Sequence, residues 1–390
     1  MKSKKLLAAG TSSRQQYRSS STDLTPLPGI EKCGHSTPAC LRNLSQKRLS
    51  PNNGKTSTKS TVKFSFLAQE VLNNSLEIPK ECPKTLKPSS ISRASCGKVL
   101  AYAANTDKGL RRKKNEDRIM IIASFSEPQN KMHEAAWPNC SYFGIFDGHG
   151  GDGCSSFLRD KLHQFIIESH FFPSFPHKAI KEALEKAENE FMKISKETND
   201  KSGSCAVIAL IVGQVCYIAN IGDSRALMSG LSGKHVYSLT TDHKPADPQE
   251  QTRIFQAGGL VYSTTSWNRS KVYRVLPGKL SVSRTIGDAD AKNIEMGGNP
   301  SVVISTPEIR KFEIKPEYDF IMLGSDGIFD TMTNRDVVDK AWESIDGLNG
   351  ELTQTKCAKA VEGVILESFK RQTRDNVSAV IIALRTLIQN

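Results

Sequence analysis

Five stretches of this 390-residue chain place carboxylate side chains directly beside apolar runs. A carboxylate at the end of a buried strand must be paired, protonated or bound to a cation, because its desolvation is otherwise too costly. The carboxylates concerned are Glu116, Asp117, Asp147, Asp223, Asp326, Asp330 and Asp375. A single Asp-Gly pair is typical of an ordinary turn, so the prediction of a functional cluster rests on the repetition of the pattern.

The residue types favour a hard divalent cation as the bound species. Sets of oxygen ligands suit Mg²⁺ or Mn²⁺, whereas zinc prefers His and Cys. Gly148 has no Cβ, so its carbonyl could approach an ion closely, and Gly150 and Gly151 allow a sharp turn into the next helix. Two such ions about 3.5–4 Å apart can hold a bridging hydroxide and orient a phosphoryl group for in-line attack. The sequence therefore indicates metal-dependent chemistry at phosphorus.

Two further residues could complete such a site. Arg112, four residues before Glu116, has a planar guanidinium that can bind two phosphate oxygens at once, which Lys113 and Lys114 cannot. His149 could protonate a leaving alkoxide as a general acid. Taken alone, the basic run around Arg112 is typical of a solvated loop, and a His between glycines fits a turn residue as well as a catalyst. Both roles therefore depend on the rest of the site.

After residue 99, short apolar runs that end in Gly or Asp are interspersed with segments of helical apolar spacing. The predicted strands are Arg118–Ser124, Tyr142–Phe146, Ala206–Val212, Val215–Ile221, Phe320–Leu323 and Val377–Leu384. The predicted helices are Ser155–His170, Pro176–Thr198, Asp247–Ala257, Asn334–Glu343 and Thr353–Thr373. Because two long helices come consecutively and strands then resume in hairpin order, the pattern predicts an α+β layered sandwich rather than a strictly alternating parallel fold.

The first quarter of the chain differs from the rest in charge. Residues 1–100 carry 17 Lys and Arg against 5 Asp and Glu, whereas the other 290 residues carry 36 of each, so the net charge of +12 lies in this arm. The arm is rich in Ser, Thr, Lys, Asn and Pro, which predicts a mostly disordered extension over residues 1–98 and a catalytic domain over residues 99–390. Within the arm, Phe64–Ile78 has helical apolar spacing and would either pack on the body or dock to a partner.

The arm bears on the binding partners and the cellular location of the protein rather than on the reaction at the acidic residues. It favours contact with an acidic partner or an anionic membrane surface, or phosphorylation of its own Ser and Thr residues, over nucleic-acid binding, for which no aromatic interleaving or folded motif is present. The nine Cys form no zinc-spaced cluster, and no run is apolar enough for a signal peptide or a spanning helix. We expect a cytoplasmic or nuclear monomer, and peripheral membrane association through the arm stays open as an alternative to contact with an acidic partner.

Seven motifs of the chain together resemble a known family. They read RRKKNEDR from Arg111, YFGIFDGHGG from Tyr142, IGDSRA from Ile221, LTTDHKP from Leu239, GKLSVSRTIGD from Gly278, LGSDGIFD from Leu323 and RDNVSAVII from Arg374. From about residue 100 to residue 387, the chain is similar to the metal-dependent protein serine/threonine phosphatases of type 2C. Any one motif would be a weak signal, whereas seven in family order are specific.

The resemblance implies a fold and a metal centre. The fold is a four-layer αββα sandwich, in which helices flank two central, mainly antiparallel β-sheets. A binuclear Mn²⁺ or Mg²⁺ centre, with two ions per subunit, would lie in the cleft at one edge. Asp147 would bridge both ions, the Gly148 carbonyl would complete one shell, and Asp326 and Asp375 would bind the other ion.

The other acidic positions would contribute more weakly according to the same resemblance. Glu116 and, to a lesser degree, Asp117 would act largely through metal-bound water. In some members a weaker third ion is held with help from the positions that match Asp223 and Asp330. Asp288 resembles a framework residue more than a ligand.

The implied reaction is the hydrolysis of phosphoserine and phosphothreonine monoesters in protein substrates by direct attack of metal-activated water, with no phosphoenzyme. Arg112 would hold the substrate phosphate and His149 would be the general acid, while Asp242 and His243 would mark a structural turn. The flap-like segment 258–278 varies in the family, so the physiological substrate is not implied. Cys205 is a departure, since the family usually has Thr in that strand.

Two other functions fit the sequence less well. A catalytically weak pseudophosphatase that acts as a protein-binding scaffold would need a lost metal ligand, and every core carboxylate is present. The segment Gly-Asp-Ser-Arg at residues 222–225 is similar to the nucleophile block of a lipase or esterase, with Ser224 attacking an acyl group, but the downstream Asp-x-x-His partner is missing.

Overall fold

The computed structural model describes residues 86–92, 94–128, 137–265 and 271–388, together with the backbone of residues 31–32. The strands within these ranges are β1 (Glu31–Lys32), β2 (Ser90–Ile91), β3 (Ala101–Asp107), β4 (Arg118–Ile122), β5 (Cys140–His149), β6 (Gly203–Val212), β7 (Val215–Ile221), β8 (Arg225–Gly230), β9 (His235–Ser238), β10 (Leu260–Thr265), β11 (Lys271–Leu276), β12 (Ile286–Gly287), β13 (Glu308–Glu313), β14 (Tyr318–Gly324) and β15 (Val377–Ala383). The helices are α1 (Gly153–Glu168), α2 (Pro176–Thr198), α3 (Pro248–Gln256), α4 (Ala289–Lys292), α5 (Asp326–Phe329), α6 (Asn334–Glu343) and α7 (Thr353–Lys370), with a 3₁₀ turn over Ile294–Met296.

Two antiparallel sheets form the centre of the molecule. The first has the strand order β1-β13-β7-β6-β5-β4, with β12 beside β6, and the second has the order β2-β3-β15-β14-β8-β9. The hairpin β10–β11 forms a separate two-stranded sheet. The predicted helix over residues 64–78 and most of the predicted disordered arm lie outside the described residues. The described part of the arm contains β1, which pairs with β13, and β2, which pairs with β3, and the domain boundary at residue 98 stays a prediction.

Three apolar clusters among the described residues define four layers. Phe146 of β5 belongs to a cluster that α1 and α2 build on the outer face of the first sheet. Met322 of β14 belongs to a second cluster, which α6 and α7 build on the outer face of the second sheet. Ile145 and Leu323 belong to the third, which fills the space between the two sheets. The predicted α+β fold with an αββα layering is therefore confirmed.

The period-two alternation of the strands decides which side chains enter the space between the sheets. In β5, Phe143 and Ile145 lie in the inter-sheet core, whereas Tyr142 and Phe146 face the helices. Asp147, the next odd-numbered residue, continues the inter-sheet side of the strand. The sandwich therefore directs this carboxylate toward the end of the inter-sheet core.

The predicted element bounds differ from the observed bounds at several strand ends and at the ends of the helices α1, α3 and α7. Val215–Ile221, Pro176–Thr198 and Asn334–Glu343 are confirmed at both ends. The strand that was predicted to end at Phe146 continues to His149, because its ladder with β6 extends that far. Strands β3, β8, β9 and β13 were not predicted, since Ala, Ser and charged residues interrupt their apolar pattern.

Candidate metal centre

Three carboxylates from three different elements meet at one edge of the sandwich. Oxygen atoms of Asp147, Asp223 and Asp326 lie within 4.8 Å of one another. Asp147 lies in β5 of the first sheet, Asp223 lies in the turn after β7, and Asp326 begins α5 just after β14 of the second sheet. The backbone N–H of Asp326 donates to Oδ2 of Asp147 at 3.3 Å, so the site joins the two sheets.

The segments of Glu116, Gly148 and Asp375 adjoin this cluster. A Cβ at Gly148 would lie 2.5 Å from the carbonyl oxygen of Glu116, so only glycine permits this close approach of the two backbones. The backbone N–H of Glu116 donates to Oδ1 of Asn376 at 2.8 Å. Asp375 precedes β15, and its Oδ2 accepts a hydrogen bond from Nη2 of Arg112 at 2.5 Å. The sequence-predicted residues on these three segments are thus brought beside the acidic cluster.

Burial and mutual repulsion perturb the acidic groups. Burial, followed by repulsion from neighbouring carboxylates, raises the pKa of Asp147 and of Asp326 well above the ordinary range. Burial also raises the pKa of Asp117 to about 6, although Ser378 donates to its Oδ2 at 2.7 Å. Such a group of buried carboxylates is costly without a cation.

The donor set fits a hard divalent cation. Oδ1 of Asp326 and Oδ1 of Asp117 are buried and have no hydrogen-bond partner among the described residues. Unpaired carboxylate oxygens in a confined site are the ligands that Mg²⁺ and Mn²⁺ prefer. Asp330, which follows α5, is more exposed than the other members of the set. The arrangement could therefore hold metal ions through its carboxylates.

Asp223 differs from Asp326 and Asp117 because both of its oxygens have partners. Oδ2 is in contact with Nζ of Lys244, and Oδ1 accepts a hydrogen bond from Sγ of Cys205 at 3.4 Å. Burial raises the pKa of Asp223, but the ammonium of Lys244 outweighs it, so the pKa lies below the ordinary value. Lys244 was missed in the sequence analysis, although it belongs to the LTTDHKP motif.

His149 is held by a residue that sequence analysis treated as part of the framework. Nε2 of His149 lies 2.9 Å from both Oδ1 and Oδ2 of Asp288. Burial lowers the pKa of His149, but the attraction of Asp288 outweighs it, so the pKa lies above the ordinary value. A Cβ at Gly203 would lie 2.1 Å from Oδ2 of Asp288, so glycine there makes room for the carboxylate. Only the Asp of the SRTIGD motif offered a sequence signal for this partner.

Arg112 and His149 flank the cluster in different ways. The side chain of Arg112 lies in the loop between β3 and β4 and is 48% exposed, so its guanidinium can reach an incoming ligand. His149 is the last residue of β5 and shares the strand face of Asp147, two residues away. The side chains thus place a cation and a proton donor beside the carboxylates.

The family comparison agrees with this geometry. The family model described as "Protein phosphatase 2C" matches residues 104–377. The chain belongs to the protein phosphatase 2C family. The match covers both sheets from the middle of β3 to the first residue of β15, and it includes every carboxylate of the acidic cluster.

Curated relatives are about a third identical to this chain over the aligned residues. The chain is 33% identical over 244 residues to "Probable protein phosphatase 2C 54" of Oryza sativa subsp. japonica, an alignment that covers 62% of each protein. It is 30% identical over 305 residues to "Probable protein phosphatase 2C 17" of Arabidopsis thaliana, covering 75% of this chain and 98% of that protein. The chain thus spans less than two thirds of the length of the first of these type 2C relatives.

Solved structures show the same fold. A serine-threonine phosphatase 2C from Toxoplasma gondii superposes with a TM-score of 0.61 at 24% identity, covering 77% of this chain and 98% of that one. A C. elegans sex determining protein superposes with a TM-score of 0.61 at 23% identity, covering 82% of this chain and 71% of that one. No helix among the described residues is both long and apolar enough to cross a membrane.

Proposed function

We propose that this type 2C protein is a metal-dependent protein serine/threonine phosphatase that hydrolyses phosphoserine and phosphothreonine monoesters. The observation that carries the proposal is the meeting of Asp147, Asp223 and Asp326 at the sheet edge, with an unpaired buried oxygen on Asp326. Family membership supplies the reaction class, and the acidic cluster supplies the place where the reaction would occur.

The cluster would hold two Mn²⁺ or Mg²⁺ ions. Asp147 would bridge them, the Gly148 carbonyl would complete one shell, and Asp326 and Asp375 would bind the other ion. When bound, the ions would activate water for attack on phosphorus and neutralise charge on the phosphoryl oxygens. The close approach of Gly148 to the Glu116 carbonyl supports this assignment, since it brings the Glu116 segment against the end of β5, which carries Asp147.

Outside this central set, Glu116 and Asp117 would act through water, and Asp223 and Asp330 would help to hold a weaker third ion. Asp117 is the buried member of the first pair, and its unpaired Oδ1 supports a role as an acceptor for an ordered water. Asp223 is buried whereas Asp330 is exposed, so an ion between them would lie at the mouth of the site.

Arg112 and His149 would act on the substrate itself. The guanidinium of Arg112 would bind phosphate oxygens, for which its partly exposed position and its planar fork are suited. His149 would donate a proton from its ring to the leaving seryl or threonyl oxygen. Asp288 would keep that ring protonated and oriented, because it is the direct hydrogen-bond partner of Nε2.

The organisation of the whole chain is part of the proposal. The catalytic domain would cover residues 99–390, and the basic arm of residues 1–98 would contact an acidic partner or an anionic membrane surface. The protein would act as a cytoplasmic or nuclear monomer on phosphoprotein substrates. Deletion of residues 1–97 would then alter its distribution or substrate preference, and unchanged behaviour of the shortened protein would contradict a role for the arm.

The test of the catalytic proposal is phosphate release from a phosphothreonine peptide by the full chain with Mn²⁺, with Mg²⁺ and with EDTA. We expect activity that requires added metal and falls by about 10³-fold or more in Asp147→Ala and Asp326→Ala. Asp346→Ala, at an exposed position after α6, is the matched control and should retain activity. Folded protein without activity in either metal would favour the scaffold function instead.

A further inference from the structure

Lys244 is held in place by a scaffold rather than lying free on the surface. The backbone N–H of His243 donates to the Gly222 carbonyl at 2.9 Å, and Nδ1 of His243 accepts from the Gly222 N–H at 3.1 Å. Arg225 donates to both carboxylate oxygens of Asp242, at 2.7 and 2.8 Å. The residues that precede Lys244 are therefore fastened to the residues on either side of Asp223.

This scaffold delivers the ammonium of Lys244 to the acidic cluster. Nζ contacts Oδ2 of Asp223, a carboxylate whose side chain is only 4% exposed. The same ammonium is attracted to Asp326 and to Asp330, the carboxylates on the neighbouring side of the cluster. Burial alone would lower the pKa of Lys244, but the attraction of these carboxylates and of Asp223 outweighs burial and raises it. A permanent positive charge therefore lies among the three carboxylates.

The Asp223 side and the Asp326 side of the cluster differ in whether their carboxylate oxygens already have partners. On the Asp223 side, Lys244 and the thiol of Cys205 occupy both carboxylate oxygens. On the Asp326 side, Oδ1 is buried with no partner among the described residues. An ion arriving at Asp326 and Asp147 finds an open ligand atom, whereas an ion arriving at Asp223 must displace an ammonium.

We propose that Lys244 is a built-in counter-cation that competes with a metal ion for Asp223 and so keeps the outer ion position weak. The inference rests on the proposed function and concerns the regulation of the same site. Binding of an ion between Asp223 and Asp330 requires the ammonium to leave Asp223 and turn toward solvent, which its 35% exposed side chain permits. Like charges a few ångströms apart repel strongly in a partly buried site.

The experiment is a Mn²⁺ titration of the full chain, followed by the electron paramagnetic resonance signal of free Mn²⁺, with no substrate present. Wild type should show a tight class of sites and a weak class. In Lys244→Met the weak class should tighten by at least about tenfold, while the tight class changes less. Lys244→Gln, which keeps a donor but not the charge, should tighten it in the same direction.

Two controls separate this effect from a general change of charge. Lys161→Met removes one charge from the exposed face of α1 and should leave both classes unchanged. Asp223→Asn combined with Lys244→Met should lose the weak class. Thermal unfolding in EDTA supplies a second readout, in which Lys244→Met and Lys244→Gln should both unfold at lower temperature than wild type, because the acidic cluster then lacks its counter-cation.

The outcomes distinguish this inference from the proposed function. If wild type binds Mn²⁺ but the weak class is unchanged in both Lys244 variants, or shifts equally in Lys161→Met, the inference is wrong and the metal centre stands. If no form of the protein binds Mn²⁺, both the metal centre and the competition are wrong. Unchanged unfolding temperatures of the Lys244 variants in EDTA would also overturn the role of Lys244 as a counter-cation.

Discussion

Nε2 of His149 lies 2.9 Å from both carboxylate oxygens of Asp288, a residue 139 positions further along the chain. Burial would favour the neutral imidazole, but the adjacent carboxylate reverses this preference and raises the pKa of His149. A general acid must be protonated before reaction, so Asp288 extends to higher pH the range in which His149 can donate.

Replacement of Asp288 by Asn should therefore move the alkaline limb of the pH profile. We expect kcat on a phosphothreonine peptide to decline at lower pH in Asp288→Asn than in wild type, because the pKa of His149 falls when the carboxylate is removed. The measurement is kcat between pH 5.5 and 9. The leaving group of p-nitrophenyl phosphate needs little protonation. With this substrate, the alkaline limbs of wild type and Asp288→Asn should therefore coincide more closely. An equal shift on both substrates would argue against His149 as the acid.

Metal binding should release protons. Asp147, Asp326 and Asp117 have raised pKa values, the last about 6, so the metal-free cluster retains protons that a cation must displace. Affinity for Mn²⁺ should accordingly rise as the pH increases from 5 to 7. Calorimetric titration in two buffers of different ionisation enthalpy measures the protons released. Asp117→Asn should release fewer protons near pH 6, whereas Asp160→Asn on the exposed face of α1 should not differ from wild type.

The loop that carries Asp375 packs closely against Gly109, and its position should depend on the absence of a side chain there. A Cβ at Gly109 would lie 2.0 Å from the carbonyl oxygen of Asp375, at a φ of +75°. Gly347 has the same φ of +75° but no atom within 4 Å of such a Cβ, so it is a matched control for backbone strain alone. Gly347→Ala should cost about 1 kcal/mol in the free energy of unfolding.

Gly109→Ala should cost more in the free energy of unfolding and should also weaken Mn²⁺ binding, because the loop that carries Asp375 must move. Urea unfolding and a Mn²⁺ titration of both variants provide the comparison. Equal free energies of unfolding and equal affinities in the two Ala variants would show that the close contact has no bearing on the site.

Acid should destabilise the fold partly through Glu250 on α3. Arg284 and Arg253 contact this buried carboxylate and Ser283 donates to it at 2.6 Å, which together outweigh burial and hold its pKa near 2. Because the pKa of Glu250 is depressed, the stabilisation that its partners contribute is complete above about pH 4.5, the value expected in the unfolded chain, and is lost as the pH falls toward 2.

Urea unfolding between pH 2.5 and 7 measures this contribution. Glu250→Gln should be less stable at pH 7 by about 3 kcal/mol or more, since it leaves two partly buried guanidinium groups without a carboxylate partner. Its free energy of unfolding should also fall less steeply toward low pH. Asp339→Asn, which removes a surface ion pair with Arg335, is the control and should cost less than about 1 kcal/mol. Parallel pH profiles for Glu250→Gln and wild type would contradict the assignment.

Local pattern was sufficient for much of the fold. Pro176–Thr198 was predicted at both ends because a helix buries one face at a period near 3.6, and Val215–Ile221 was predicted because an apolar run between turn residues is typical of a buried strand. Strand β13, with the sequence EIRKFE, was not predicted because its only two apolar residues, Ile309 and Phe312, are separated by two charged residues and so show no period-two pattern. Its place in the sheet depends on pairing with β7, which no local signal records.

The residue types of the candidate site could also be recognised in the sequence. Carboxylates beside apolar runs indicated a cation, and the motif order indicated the family. What the sequence could not show was which oxygens are already occupied. Lys244 reaches Asp223 only because β7 and the turn after β9 are neighbours in space, and Asp288 reaches His149 only because β12 pairs with β6.

The amino-acid sequence by itself therefore determined the elements, the family and the acidic set, since each depends on residue type and short-range spacing. Only the tertiary structure decided that Asp326 keeps an unpaired oxygen while Asp223 is paired with Lys244. The physical reason is that hydrogen bonding, burial and charge repulsion act over a few ångströms, and residues far apart in the chain come that close only when the two sheets pack.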